Sequence, residues 1–453
     1  MIYQEYFSTR KTSFILPEIV AQMEKAQDQV VRAEYGGKLA ITGPAGSGKT
    51  TLALHRAAYL LQSPETVDKL DANQIIVFVQ DDSTRDYFSH LLPELGINDV
   101  EITTMASWAR KILPLTGWTI LDHERDSDAG YIWSKIKGLK NDIDISWRKN
   151  WFNILVDVYA ANFSKEQKSR LLIQKRNKIL DRVDLAVLLK AIFRTEDGFN
   201  IEREYYVVNK KTQEAKRRKT RIKTTYKLVI IDEFQNYLPE HLELFTQAVD
   251  PAGGEMVYIG DFNQRVRLGT VNELEDLGEL SEERCVKLSK VYRNTKETLV
   301  YLKKLGYSVE IPDMIKSGPE VEEMAMSMDE QIRHVEDKIS GLGDVSIGIL
   351  SHNDELLRVF EQRLKHKEKV RVMSLMDAQG VEFDTVFLVG VDDDLLLVEG
   401  VSVELRVEMA KIKRDLLYIA LTRTMNGLYV LGSKTLISVA LAANKDNKTF
   451  LVK

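Results

Sequence analysis

The segment GPAGSGKTT (Gly43–Thr51) permits few folds. It fits G-x-x-x-x-G-K-[ST], follows the apolar run Leu39–Thr42 and opens a helical pattern over Thr50–Leu61. A glycine loop between a buried strand and a helix start turns backbone N–H groups inward. The helix end adds partial positive charge, so the segment makes a phosphate cradle. Gly43, Pro44, Ala45, Gly46, Ser47, Gly48, Lys49, Thr50 and Thr51 are therefore predicted to hold a nucleotide. Lys49 would reach the β- and γ-phosphates, and the Thr50 hydroxyl would ligate Mg²⁺. ATP and Mg²⁺ are the implied ligands.

Short apolar runs elsewhere read as buried parallel strands: Leu39–Thr42, Ile75–Val79, Glu101–Thr104, Lys227–Asp232 and Met256–Gly260. A second series comprises Ser346–Leu350, Val370–Leu375, Thr385–Val391 and Leu428–Leu431. Helical patterns between strands indicate an α/β chain with two parallel-sheet domains in tandem. The first series is interrupted by 110–226, a mostly helical and polar stretch. All five tryptophans fall at 108–151, where core packing is their expected role. The expected plan is a first domain at 1–109 and 227–284, an inserted subdomain at 110–226, and a second domain at 285–453.

LVIIDEFQ (Leu228–Gln235) is an apolar strand ending in two acids. A strand beside the phosphate loop delivers such acids to the nucleotide. Asp232 is predicted to hold Mg²⁺, and Glu233 to orient and activate the attacking water.

Composition narrows the alternatives. A net charge of −5 does not suit a general nucleic-acid coat protein, so such contacts must be local. The single cysteine, Cys285, excludes disulfides within the chain and cysteine-based zinc sites. The seven histidines show no metal-ligand spacing. No apolar run reaches the roughly 18 residues of a membrane span, and MIYQEYFSTRKTSF does not read as a signal peptide. A cytoplasmic protein without membrane contact is expected.

Together these motifs resemble superfamily 1A helicases of the UvrD/Rep/PcrA type, whose fold is two tandem RecA-like P-loop NTPase domains. The likeness covers most of the chain outside the insertion. KAQDQVVR resembles the glutamine motif and implies Gln27 at the adenine. ALHRAAYLL implies Arg56 near the nucleotide. DEFQ resembles the second motif, with Gln235 among the nucleotide-binding residues, and GDFNQ the third, with Gln264 toward the γ-phosphate. VYRNT is similar to NYRS, implying Tyr292 on the adenine and Arg293 at the γ-phosphate. AQGVEFD implies Glu382 on the ribose, and LLYIALTRT implies Arg423 as a second γ-phosphate arginine. Lys49, Glu233, Gln264, Arg293 and Arg423 form the implied catalytic set. A finer resemblance, carried by VFVQDDSTRDYFSHLLPELGINDVEITTMASW, is to the HelD and DNA helicase IV branch. HelD proteins are known as remodellers of RNA polymerase.

Three departures concern the grip on nucleic acid. The stretch VQDDST places Asp81 and Asp82 where the family has DNA-contacting residues, and these acids repel phosphate. No aromatic follows Gln264, where one usually stacks on a base; Arg265 and Arg267 stand nearby instead. Only about 75 residues separate Arg293 from VRVMSL, too few for the large accessory domain of UvrD-type enzymes, so the form is compact. The run NKKTQEAKRRKTRIKTTYK has nine basic residues and one acid. Its Lys216, Arg217, Arg218, Lys219 and Arg221 read either as phosphate contacts or as a solvated β-hairpin or loop.

Two functions remain open. One is an ATP-driven motor on single-stranded or partly duplex nucleic acid, DNA before RNA, working with a partner such as a nuclease subunit in repair or anti-phage defence. The other is an ATP-switched remodeller of a protein complex such as RNA polymerase.

Overall fold

The computed structural model describes residues 28–447, except 45, 64–65, 67–69, 95–96, 122–128, 142–144, 209–214, 289–292 and 314. Gln27, Ala45 and Tyr292 lie outside the described residues.

The chain starts with β1 (Gly37–Thr42), α1 (Lys49–Gln62), β2 (Ile75–Val79), α2 (Asp82–Glu94), β3 (Glu101–Thr104) and α3 (Met105–Ile112). Next come β4 (Thr119–Ile120), α4 (Ala129–Leu139), α5 (Phe152–Tyr159), α6 (Lys165–Asn177), β5 (Ile179–Leu180) and α7 (Arg182–Glu196). A hairpin, β6 (Asn200–Val208) and β7 (Ala215–Lys223), leads back to β8 (Leu228–Ile231), α8 (Pro239–Gln247), β9 (Glu255–Gly260) and β10 (Cys285–Lys287). These strands, apart from β4 to β7, form a six-stranded parallel sheet ordered β10-β1-β9-β8-β2-β3.

The second part contains α9 (Lys296–Lys304), β11 (Glu322–Ala325), α10 (Met328–Gly341), β12 (Ile347–Ser351), α11 (Asp354–Leu364), β13 (Val370–Ser374), β14 (Phe383–Val391), α12 (Val403–Thr422), β15 (Thr424–Gly432) and α13 (Leu436–Asn447). Its five parallel strands run β11-β15-β14-β12-β13. The fold is α/β with two RecA-like parallel sheets.

Two strands differ from expectation. Cys285–Lys287 pairs with β1, so the first sheet extends past 284 and the expected start of the second domain at 285 moves beyond Lys287. Three residues with only Val286 buried give too little apolar pattern to signal a strand. Glu322–Ala325 is likewise a half-exposed edge strand, and only its pairing with β15 defines it.

The first sheet is covered on both faces. One face packs α1 and α2 through a core including Leu52, Leu60 and Phe88. The other packs the interposed helices through Phe78, Trp108 and Phe245. Trp108 is fully buried, edge-on to Phe78 and to Phe199 at the foot of the hairpin. The other tryptophans pack around the same cluster, Trp118 against Trp151 among them, in the core role expected of them. A buried polar knot fixes the interposed helices together. Lys135 Nζ donates to Asp181 at 2.6 Å and to Asp184 at 2.9 Å, and Tyr159 Oη donates to Asp184.

Candidate active site

The phosphate loop sits where β1 hands the chain to α1, with β10 and β9 on either side of β1. Gly48 caps α1 in the left-handed region (φ 84°), aligning the first-turn N–H groups with the loop. Lys49 Nζ folds onto the loop, donating to the carbonyls of Gly43 at 2.7 Å and Pro44 at 3.0 Å. Burial pulls its ammonium pKa down, while Glu233, Asp261 and Asp232 oppose that pull. Ser47 closes the loop onto Pro44 O.

Asp232 follows β8, two strands from β1, and accepts a hydrogen bond from Thr50 Oγ1 at 3.2 Å. Burial and the neighbouring Glu233 push its carboxyl up to about 7. A hydroxyl and a carboxylate converging beside a phosphate loop are the hard oxygen donors that Mg²⁺ takes, so these residues fit the ion. Glu233 is one of four non-glycine residues with positive φ among those described (φ 50°, ψ 48°). Such backbone costs about 1–3 kcal/mol and collects at functional sites.

From Glu233 a relay of side chains crosses the cleft. Gln235 Nε2 donates to Glu233 Oε2 at 2.5 Å, and Gln235 Oε1 accepts from Asp261 N at 3.1 Å. A methyl group on Gly260 would stand 2.2 Å from that Oε1, so only glycine admits Gln235 there. Gln264 Nε2 donates to Asp261 Oδ2 at 2.7 Å, and Gln264 Oε1 accepts from Arg423 Nη2 at 3.2 Å. Arg423 ends α12 of the second sheet domain, and Nε donates to Ile419 O. Burial first, then the Arg293 charge, pull its pKa down to about 10. Sequence reasoning did not single out Asp261. Its signal was an acid following an apolar strand, the same signal that marks Asp232.

Arg293 also comes from beyond the first sheet and lies over the loop. A Cβ on Gly46, which has φ 74°, would meet Arg293 Nε at 2.7 Å. Arg293 is ion-paired with Glu382. Glu382, expected at a ribose, is thus the partner of an arginine at the rim of the loop.

Two expectations are corrected, for Arg56 and Arg265. Arg56 does not reach the phosphate loop. It is fully buried and makes a two-bond pair with Glu255, both contacts 2.6 Å, and its other N–H groups reach carbonyls of Val30, Ala33 and Glu34. Glu255 begins β9, so the pair lies at the opposite end of the sheet from the loop. Position 56 lies seven residues beyond Lys49, about 10 Å along α1. Arg265 is not an exposed grip. It is buried, with Nε on Asp415 Oδ2 at 2.9 Å and Nη1 bonded to Asn272. Arg267 is half-buried, and its charge acts on the buried Tyr237 and His241.

The loop 264–271 is a three-way junction. Val266 N donates to Asn236 Oδ1, Gly269 N donates to Glu408 Oε1 on α12, and Arg182 Nη2 of α7 donates to Leu268 O. Ile136 of α4 fits against Gly269. Lys137 pairs with Glu404, and Asn236 Nδ2 reaches Gln379 Oε1 at 3.2 Å. Asp415 and Glu408 have no motif to mark them, and Gln379 lies inside AQGVEFD without having been singled out; only the packing reveals the three.

Within the basic run, Ala215–Lys223 forms β7, exposed along its whole length. Lys219 pairs with Glu202 at 2.5 Å. Arg221 pairs with Glu196 at 3.1 Å and donates to the Ile112 and Asn200 carbonyls. Lys216, Arg217 and Arg218 occupy the half nearer the tip.

A nucleotide cradle with acids from the first sheet and arginines from the second is the layout of a two-domain ATP motor. Residues 23–267 match the UvrD/REP helicase N-terminal domain, and residues 168–432 match the viral superfamily 1 RNA helicase core domain. Each match spans more than half of the chain, and the chain belongs to the UvrD/REP helicases of superfamily 1. No curated protein gives a significant match. The family is one of ATP-hydrolysing motors that act on nucleic acid and typically use Mg²⁺. No helix among the described residues is long and apolar enough to cross a membrane.

Proposed function

We propose that the chain is a partner-dependent motor on nucleic acid, DNA before RNA, in repair or anti-phage defence. The relay Glu233–Gln235–Asp261–Gln264–Arg423 carries this reading, because it joins the water-activating position to an arginine of the other domain. Lys49 would exchange the Gly43 and Pro44 carbonyls for phosphate oxygens, and Thr50 and Asp232 would hold the metal. When bound, Mg²⁺ would supply positive charge against the charge that develops on the phosphates. Glu233 orients the water and accepts its proton. Arg293 and Arg423 meet the transition-state charge from the second domain. Gln264 senses that event and passes it to the junction loop. Gln27 and Tyr292 would hold the adenine.

The partner requirement rests on Arg265, which is buried where a strand-gripping residue would stand. A HelD-like remodeller of a complex such as RNA polymerase is the second reading, favoured by the same burial and by the resemblance of the stretch after β2. ATPase rates measured alone, with single-stranded DNA, with RNA and with co-purified proteins separate the two. The motor reading expects stimulation by DNA exceeding that by RNA. Stimulation by a protein alone, with none by either nucleic acid, would replace it with the remodeller.

A further inference from the structure

The hairpin β6–β7 is charged and unusually bare. All nine residues of β7 are exposed, on both faces of the ribbon. Six of them are basic and none is acidic. Two-stranded ribbons are marginal alone and need support. Here support is confined to the foot: Phe199 is buried against Trp108, Ile201 is buried, and Arg221 clamps the Ile112 and Asn200 carbonyls.

Charge divides along the same line. Near the foot Lys219, Arg221 and Lys223 face Glu202, Glu196 and Asp197. Toward the tip Lys216 and Arg218 have no ion pair among the described residues, and Tyr206, opposite Arg217 in register, is 69% exposed. A braced ribbon with uncompensated cations and a bare aromatic ring suits a polyanion that also offers flat apolar faces.

We infer that the distal half of this hairpin binds single-stranded nucleic acid wrapped over the ribbon, with Lys216 and Arg218 on backbone phosphates at one face and the Tyr206 ring, which the register sets on the other face with Arg217, against an unpaired base. The inference rests on the nucleic-acid reading above and assigns its grip to the interposed subdomain. Duplex offers the same phosphates but no free base face, so Tyr206 discriminates the two.

The test is fluorescence anisotropy of the full chain with an oligo-dT strand and with a duplex of equal length, across a salt series. Lys216→Ser/Arg218→Ser should weaken both complexes and reduce the single-strand salt slope by about 1.4, since each phosphate contact contributes about 0.7. Tyr206→Ala should weaken single-strand binding about tenfold, leave duplex binding within twofold and keep the slope, as base–aromatic stacking is uncharged. Lys219→Ser, at a paired site, should change affinity less than about twofold. Wild-type-like affinity and slope in the double variant, with the parent protein binding, would overturn the hairpin assignment and leave the motor reading intact. Equal losses on duplex and single strand for Tyr206→Ala would overturn the stacking role. No binding by the parent protein to either probe, with or without a non-hydrolysable ATP analogue, would overturn both readings.

Discussion

Glu233 shows how one residue ties backbone strain to chemistry. Its left-handed backbone turns the chain sharply out of β8, so Asp232 stays on Thr50 while the Glu233 carboxylate turns toward Gln235. Glu233→Gln should retain ATP binding and lose turnover, because only the proton acceptor is removed. Arg423→Ala should lower kcat by about 10³-fold or more with little change in nucleotide affinity, since arginine fingers contribute about 10³–10⁵ in rate. Single-turnover hydrolysis and equilibrium nucleotide binding separate the two quantities. Wild-type turnover in Glu233→Gln, or an Arg423→Ala defect lying in affinity alone, would refute the respective role.

At the scale of elements, α12 couples the halves of the molecule. Its Leu405 and Ile412 join the core of the first domain, while Leu417 and Leu421 belong to that of the second. Glu408 and Asp415 on the same helix reach the junction loop. Burial pushes the Asp415 carboxyl up to about 6, with the Arg265 charge opposing. A folded pKa above the unfolded value means that the native state binds more protons between about 4 and 6, so this group's contribution to stability falls as pH rises through that window. Arg265→Met removes the opposing charge and extends the penalty to higher pH. At pH 7 it should cost about 3 kcal/mol, the usual cost of stranding one buried partner, and the cost should shrink toward pH 5. Arg265→Met/Asp415→Leu should recover most of the loss. Urea unfolding of the parent protein, Arg265→Met, Asp415→Leu and the double variant at both pH values measures this. Additive single-variant costs would show that the two side chains are not coupled.

At the scale of the whole molecule, the described residues of the ATP site converge on one cleft while direct purchase on a strand is thin. The residue after Gln264 is buried in a cross-domain ion pair, and one exposed ribbon strand carries six cations in nine residues. Grip resting mainly on charge is screened within about 8 Å at physiological salt. The purified chain should therefore displace strands weakly at about 0.15 M salt and better at low salt. Robust unwinding of a long duplex at the higher concentration would contradict this.

Much of this was legible in the sequence, because local chemistry dictated it. The loop Gly43–Thr51 needs glycines and a helix start in fixed order, and apolar runs ending in acids mark β8 and β9. Those patterns gave the α/β class, the two sheets and the positions of Lys49, Thr50, Asp232 and Glu233 around one cleft, and the family resemblance of GDFNQ added Gln264. What only the tertiary structure decided were the partners. An arginine has the same local signature whether it meets phosphate, a carboxylate or water. Arg56 met Glu255, 199 residues away, and Arg265 met Asp415, 150 residues away. Arg423 did reach the cleft, on Gln264. Strand periodicity carries no information about such distant pairings. Desolvation settles them, because a charge closed into a core must find its counter-charge there.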